Sequence, residues 1–163
     1  MKNIMMMKVA AELLKNSHRS DRELAKVLRA SQPTVTRLRN KLEKEGFIQE
    51  YTIIPHFIKM GFEILAITLT KTKFNPELRE RGAKSMMANS NVVMCAKSEG
   101  LGKNAVIVSL HKSYSDYSDF ITKFMEEWRD MVEDYDSVLI SLGGIVLKPF
   151  SLKCLAELVQ ELS

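Results

Sequence analysis

Several residue types are scarce in this 163-residue chain, and each scarcity argues against a class of protein. The two cysteines, Cys95 and Cys154, lie far apart in the sequence, so a disulfide scaffold is not predicted. Seven glycines and four prolines are too few for a collagenous or low-complexity chain. No apolar run approaches the roughly 20 residues of a membrane span, and Lys8 interrupts the apolar N-terminal residues too early for a secretory signal. We therefore expect a cytoplasmic protein that has no membrane partner.

Clusters of residues that carry chemistry are also missing from the sequence. The three histidines, His18, His56 and His111, have no partner at metal-ligand spacing, so no metal site is predicted. The sequence contains no Ser-His-Asp, Cys-His or phosphate-loop pattern. We therefore predict a protein that is not an enzyme and that needs no cofactor.

Charge is distributed unevenly along the chain. Residues 1–60 contain twelve lysines and arginines against six acidic residues, which is a net charge of +6. Residues 61–163 contain twelve basic and fourteen acidic residues, which is a net charge of −2. A basic first third on a nearly neutral body indicates a nucleic-acid-binding domain at the N-terminus.

Residues 1–54 have the pattern of three helices followed by a wing. Ser20 and Glu23 form a predicted capping box for the second helix, and Ser31 is the predicted cap of the third. The third helix is expected to stop at Gly46. Two short strands, 47–48 and 51–54, are predicted to form the wing, and residues 55–61 are predicted to be a linker.

Residues 62–150 show the order strand–helix–strand–strand–helix–strand. This order is typical of a ferredoxin-like βαββαβ sandwich, so the predicted fold class is α+β. The second helix of this domain is predicted to run from Ser115 to about Tyr135, and the fourth strand from Ser137 to Leu142, with an extension at 145–147. Residues 151–163 are predicted to form an amphipathic tail.

The third helix has the most informative sequence. Val35, Leu38 and Leu42 define an apolar face, and the remaining positions are basic or hydrogen-bonding. A helix of this kind fits the major groove of DNA, with its N-terminal residues nearest the bases. The predicted base contacts are Gln32, Pro33, Thr34, Thr36 and Arg37. The predicted phosphate contacts are Arg22, Lys26, Ser31, Arg39, Asn40, Lys41 and Lys44. A solvated amphipathic helix without a ligand is the alternative for this helix.

The runs 20–25, 31–39 and 42–51 carry a family resemblance. Leu42-Glu43-Lys44-Glu45-Gly46-Phe47-Ile48 followed by Tyr51 resembles the winged helix-turn-helix of the Lrp/AsnC (feast/famine) transcription regulators. The second domain is similar to the effector and oligomerisation (RAM-type) domain of that family in its order of strands and helices. The resemblance implies a sequence-specific transcription regulator with double-stranded operator DNA as its partner.

The same resemblance implies assembly and an effector. Members of the family form homodimers through their sheets, often assemble further into rings such as octamers, and often bind an amino acid near the turn between the second and third strands. The corresponding candidate effector turn consists of Ser98, Glu99, Gly100, Leu101, Gly102, Lys103 and Asn104. Lys103 and Asn104 stand where amino-acid-sensing members often carry an Asp. A hairpin turn without a ligand is the alternative.

Two other functions stay open at this point. Siroheme decarboxylases resemble the same family and would need a tetrapyrrole pocket with suitably placed His or Arg. A ligand-gated interaction protein without DNA binding is the second alternative, and the basic face of the third helix argues against it.

Overall fold

The computed structural model describes residues 4–73 and 76–161. The chain forms two compact units, Met1–Ile54 together with Lys148–Ser163, and Pro55–Leu147. This division differs from the predicted domains at two places. The predicted linker 55–61 belongs to the second unit, where Phe57–Met60 form a 3₁₀ helix, and the predicted tail belongs to the first unit.

Three helices form the N-terminal part of the first unit: α1 (Ile4–Lys15), α2 (Asp21–Leu28) and α3 (Gln32–Lys44). The predicted capping box at the start of α2 is present, because the Glu23 N–H donates to the Ser20 hydroxyl and the Ser20 N–H donates to the Glu23 carboxylate. The Ser31 hydroxyl accepts the Thr34 N–H at the start of α3. Local capping chemistry therefore sets both helix starts.

Apolar side chains from all three helices form one core. Burying each of the larger ones contributes about 1.5–3 kcal/mol. The members of the core are Met6, Val9, Leu13, Leu24, Ala25, Val35, Leu38 and Leu42.

The C-terminal helix α6 (Leu155–Glu161) packs against α1 in the same unit. Ala156 of α6 is 1% exposed. Met7 and Ala11 of α1 are also buried, although they lie on the face of α1 opposite the three-helix core. We conclude that α1 is covered on two faces, on one by α2 and α3 and on the other by α6.

The predicted wing strands are absent: residues 47–54 form no strand. The N–H groups of Phe47 and Ile48 donate to the carbonyl of Leu42 instead of to a neighbouring strand. Ile53 is exposed, and the segment around it has no hydrogen-bonded partner strand among the described residues. The prediction of two strands was wrong because β-branched residues favour extended backbone but do not supply a ladder partner.

The second unit is the predicted ferredoxin-like βαββαβ sandwich. Its sheet is antiparallel with the order β2-β3-β1-β4. The elements are β1 (Ile64–Thr72), α4 (Pro76–Ala88), β2 (Val92–Gly100), β3 (Lys103–His111), α5 (Tyr114–Glu127) and β4 (Val132–Ser141). The buried cluster joins the sheet to α5 and consists of Ala66, Ile107, Tyr117, Ile121, Phe124, Trp128 and Val132.

Two boundaries in the second unit differ from the prediction. Helix α5 ends at Glu127 rather than near Tyr135, and β4 already begins at Val132. Apolar residues keep a helix-like spacing beyond the end of α5, because Val132 at the start of β4 packs in the same core as the helix. The predicted extension 145–147 forms no strand, and Ile145 and Leu147 are almost fully exposed. Among the described residues, no helix is long and apolar enough to cross a bilayer.

Candidate nucleic-acid interface

One exposed face of α3 forms an open depression of about 500 Å³ on the first unit. The fully buried Val35 and Leu42 fix the opposite face of the helix in the core. The side chains that line the depression are Gln32, Pro33, Thr36, Arg37 and Asn40. Four of these five are predicted base contacts, and Asn40 is a predicted phosphate contact. The apolar spacing of α3 thus places these side chains, of which all but Pro33 are polar, on a single surface.

The hydroxyl groups at the start of α3 bind one another. The Ser31 and Thr34 hydroxyl oxygens lie 2.8 Å apart, and the Ser31 oxygen also accepts the Thr34 N–H at 3.3 Å. Ser31 is exposed and Thr34 is half-buried. Both side chains therefore stabilise the helix start, and each has hydrogen-bonding capacity left for a second partner.

Thr36 and Arg39, both predicted DNA contacts, have a common partner within the protein. The Thr36 hydroxyl donates to Asp21 Oδ2 at 2.6 Å, and Arg39 Nε lies 2.9 Å from Asp21 Oδ1. Asp21 is the first residue of α2. Arg39 also donates through its NH2 group to the carbonyl of Arg19 at 2.7 Å. Asp21 did not emerge from the sequence, because its partners lie 15 and 18 positions away.

The Arg19 side chain anchors this part of the loop before α2 to Glu12 of α1. The Glu12 carboxylate, which is buried, accepts hydrogen bonds from Lys15 and Arg19. Burial opposes ionisation of this carboxylate, but the two cations outweigh burial and hold the pKa of Glu12 below its ordinary value. The loop that accepts Arg39 is therefore anchored to α1.

The remaining predicted phosphate contacts lie at the surface. Arg22, Lys26, Asn40 and Lys44 are exposed, and the three cations among them have no ion-pair partner within residues 4–73 and 76–161. Lys41 is also exposed and lies 3.6 Å from Glu45, a distance typical of a weak surface pair. These side chains are free to approach an anionic backbone.

Tyr51 connects the segment after α3 to the helix. Its hydroxyl donates to Glu43 Oε1 at 2.7 Å. Burial, followed by the hydrogen bond and the negative charge of Glu43, raises the pKa of Tyr51 to about 12. The phenol therefore stays protonated at neutral pH and holds residues near position 51 against α3 without strand pairing.

The candidate effector turn is a tight β-hairpin. Ser98 and Glu99 lie in β2, and Gly100 pairs with Lys103 across a two-residue turn. Leu101 and Gly102, the central residues of the turn, have φ values of 52° and 70°. Positive φ at both central positions matches the twist of the flanking strands, and it favours glycine over leucine.

The two side chains after this turn bind within the second unit. The Lys103 ammonium contacts Asp134 and lies 3.0 Å from Asp136, and the side chain is 4% exposed. The hydrogen bond to Asp134 raises the pKa of Lys103, and the same bond lowers the pKa of Asp134. Asn104 accepts from the Thr72 N–H and donates to the Thr72 carbonyl. Both side chains therefore support the sheet.

The structure also brings together a Ser, a His and an Asp that the sequence pattern did not reveal. His111 Nε2 lies 2.8 Å from the Ser109 hydroxyl, and His111 Nδ1 lies 3.7 Å from Asp116 Oδ2 and 3.5 Å from the Asn91 amide nitrogen. Ser109 and His111 are completely buried. A substrate has no access to the serine, so the cluster is a structural one. Within the described residues, no group of His, Cys, Asp and Glu has the arrangement of a metal site.

Known proteins resemble the chain in both sequence and fold. Residues 7–49 match the family described as winged helix-turn-helix DNA-binding. PH0061 of Pyrococcus horikoshii, named an uncharacterized HTH-type transcriptional regulator, is 30% identical over 139 residues, which cover 83% of this chain and 89% of PH0061. The crystal structure of PH0061 superimposes with a TM-score of 0.77 and covers 93% of this chain and 97% of its own, at 26% identity.

More distant structures share the fold alone. The transcriptional regulator NMB0573 of Neisseria meningitidis, solved as a complex with L-Met, has a TM-score of 0.81 at 16% identity and covers 93% of this chain and 94% of its own. Escherichia coli AsnC has a TM-score of 0.74 at 13% identity and covers 92% of this chain and 98% of its own.

The winged helix-turn-helix match and the similarity to PH0061 together identify a DNA-binding transcription regulator. The chain belongs to the HTH-type transcriptional regulators, the group in which its relative PH0061 is named, and it shares the fold of AsnC.

Proposed function

We propose that the protein regulates transcription by placing the N-terminal half of α3 in the major groove of an operator. The depression on α3 carries this proposal, because its exposed lining combines a guanidinium with two amides and a hydroxyl. Arg37 can bind guanine O6 and N7 with two hydrogen bonds, and Gln32 can bind adenine N6 and N7 in the same way. A solvated helix without a ligand would need no such grouping on one face.

The exposed cations around this face are proposed to hold the DNA backbone. Arg22, Lys26, Lys41 and Lys44 are accessible, and phosphate contacts of this kind set the register of a recognition helix. A phosphate contact is proposed for Ser31 as well, since its hydroxyl is exposed at the N-terminus of α3. Arg39 differs from these cations, because its side chain is only 20% exposed and already pairs with the Asp21 carboxylate.

A homodimer is the proposed binding form. On one face of the sheet, α5 covers alternate residues of the strands. The other face carries apolar rows of residues that are paired across neighbouring strands. Those rows are Leu65, Leu110 and Ile140, and Ile67, Val108 and Val138. A second copy packed on these rows would bury the exposed Val138 and Ile140. A two-fold dimer contains two α3 helices, which suits half-sites one helical turn apart, about 34 Å.

An amino-acid effector at residues 98–104 stays a prediction. NMB0573 binds L-Met, but in the present chain the Lys103 ammonium already occupies the carboxylates of Asp134 and Asp136. Thermal unfolding with each of the twenty amino acids tests the prediction directly. A raised melting temperature with one amino acid would support an effector, and no shift with any of them would favour the unliganded hairpin.

Selection of bound sequences from a pool of random duplex DNA at two salt concentrations tests the proposed function. We expect an enriched motif of two inverted half-sites, because a two-fold dimer presents two identical helices. Failure to enrich any motif would overturn the proposal and favour the interaction protein without DNA binding. Absorbance of a bound tetrapyrrole in the purified protein would instead favour the decarboxylase-like alternative.

A further inference from the structure

The Asp21 carboxylate links the start of α2 to two side chains of α3. One oxygen accepts the Thr36 hydroxyl from the exposed face of α3, and the other lies against Arg39 Nε on the flank of α3. The guanidinium of Arg39 continues to the Arg19 carbonyl in the loop before α2. A single acidic residue at the start of α2 thus determines the partners of two polar side chains on the helix that faces DNA.

We infer that Asp21 is a positioning residue for sequence recognition. It keeps Arg39 away from the DNA phosphates, and it accepts the Thr36 proton, so that the Thr36 oxygen can only accept a hydrogen bond from a base. The inference depends on the proposed function, since it assumes that α3 lies in the major groove. It adds a specificity-determining role for a residue that does not itself contact DNA.

Arg39 is held by its partners and is largely buried. Arg39 and Asp21 have side chains that are each only 20% exposed, so solvent and salt screen their pair less than an exposed pair. Moving the guanidinium to a phosphate would leave the Asp21 carboxylate without its cation beside an anionic backbone, which is unfavourable. Arg39 therefore adds no counterion release when DNA binds.

The hydrogen bond of Thr36 has a fixed direction. A hydroxyl has one proton to donate and two lone pairs that accept. Ionised Asp21 can only accept, so the Thr36 proton points to Asp21 and, more weakly, to the Gln32 carbonyl at 3.1 Å. Only acceptor capacity is left for DNA. Thr36 therefore selects base edges that donate, which are adenine N6 and cytosine N4, over the acceptors of guanine and thymine.

The salt dependence of DNA binding measures the first part of the inference. The slope of log affinity against log salt changes by about 0.9 for each phosphate that a protein cation neutralises. Asp21→Asn removes the charge that holds Arg39, so we expect a slope that is steeper by about 0.9 than in the wild type. Adding Arg39→Met to Asp21→Asn should return the slope to the wild-type value.

Two single variants complete the test on the enriched duplex. Arg39→Met alone should leave the slope unchanged, and a slope that is shallower by about 0.9 would overturn the inference because Arg39 would then contact a phosphate in the native complex. Glu23→Gln is the matched control, since it removes a negative charge from the same turn of α2 without releasing an arginine and keeps a capping side chain. An equal steepening in Glu23→Gln and Asp21→Asn would also overturn the inference.

Selection with the Asp21→Asn variant tests the second part. We expect guanine or thymine to become acceptable at a half-site position where the wild type requires adenine or cytosine, and an unchanged motif would overturn the Thr36 argument. A loss of helix-turn-helix stability would weaken binding to all duplexes but would change neither the base preference nor the slope. Failure of the wild type to enrich any motif would contradict the proposed function itself, whereas a wild-type motif with the wrong slopes would contradict only the role of Asp21.

Discussion

Arg37 and Lys44 lie on the same exposed face of α3 but are expected to do different work on DNA. Arg37 lines the depression near the N-terminal half of the helix, whereas Lys44 is the last residue of α3. Neither has an ion-pair partner among the described residues, so replacing either by Ala should change folding stability by less than about 0.5 kcal/mol. Any change in DNA binding then reports a lost contact with DNA rather than unfolding.

The expected magnitudes differ between the two variants. A bidentate arginine–guanine contact is worth about 1–3 kcal/mol, so Arg37→Ala should lower affinity for the enriched duplex about 5- to 150-fold. Its affinity for a scrambled duplex should change little, because that complex makes no base contact. Lys44→Ala should weaken both duplexes alike and make the salt slope shallower by about 0.9, the value for one phosphate.

Fluorescence anisotropy with a labelled enriched duplex and a labelled scrambled duplex, at four salt concentrations, measures both quantities. The ratio of the two affinities reports sequence reading, and the slope reports phosphate contacts. If Arg37→Ala keeps the wild-type ratio of the two affinities, the assignment of this face to base contacts is refuted. Lys44→Ala that lowers the ratio would show that the phosphate and base roles have been exchanged.

Three further predictions concern stability. Arg29 ends α2 with φ 51°, so Arg29→Gly should relieve strain and stabilise the first unit by about 0.5–1 kcal/mol in urea unfolding followed by circular dichroism, with Arg29→Ala as the control that keeps the strain. Ala156→Asp should place a carboxylate against α1 and destabilise the same unit by about 2 kcal/mol or more in the same assay, and an unchanged midpoint would contradict the packing of α6. Burial lowers the pKa of His111, with Asp116 opposing, so the unfolded state binds its proton more readily. The second unit should therefore keep its full free energy of unfolding above the ordinary histidine pKa of about 6.5 and lose part of it as the pH falls below that value. Fluorescence of Trp128, the sole tryptophan, should show this loss in the wild type but not in His111→Gln.

The features that local sequence determines were predictable. The capping box at Ser20 and Glu23 joins residues three positions apart, and the apolar spacing of Val35, Leu38 and Leu42 directly sets which face of α3 is buried. The order of strands and helices in the second unit followed from hydrophobic periodicity for the same reason. The set of exposed residues on α3 could therefore be predicted from sequence, while their contacts with DNA stay a prediction.

The features that were missed depend on partners distant in sequence. The end of α5 has neither Gly nor Pro, and Trp128 and Val132 keep the helical spacing while entering the core from a turn and a strand. The docking of α6 on α1 joins opposite ends of the chain. The position of Asp21 beside Thr36 needs the angle between α2 and α3, which no local pattern encodes.

The central claim is that α3 reads base edges in the major groove, and substitution of single 7-deazapurines through the enriched duplex tests it most directly. A 7-deazapurine lacks N7, which is a major-groove acceptor of both adenine and guanine, while it keeps Watson–Crick pairing. We predict at least one position in each half-site where the substitution weakens wild-type binding about tenfold and weakens Arg37→Ala binding no further. Wild-type binding that is unaffected by 7-deazapurines at every position would contradict the claim.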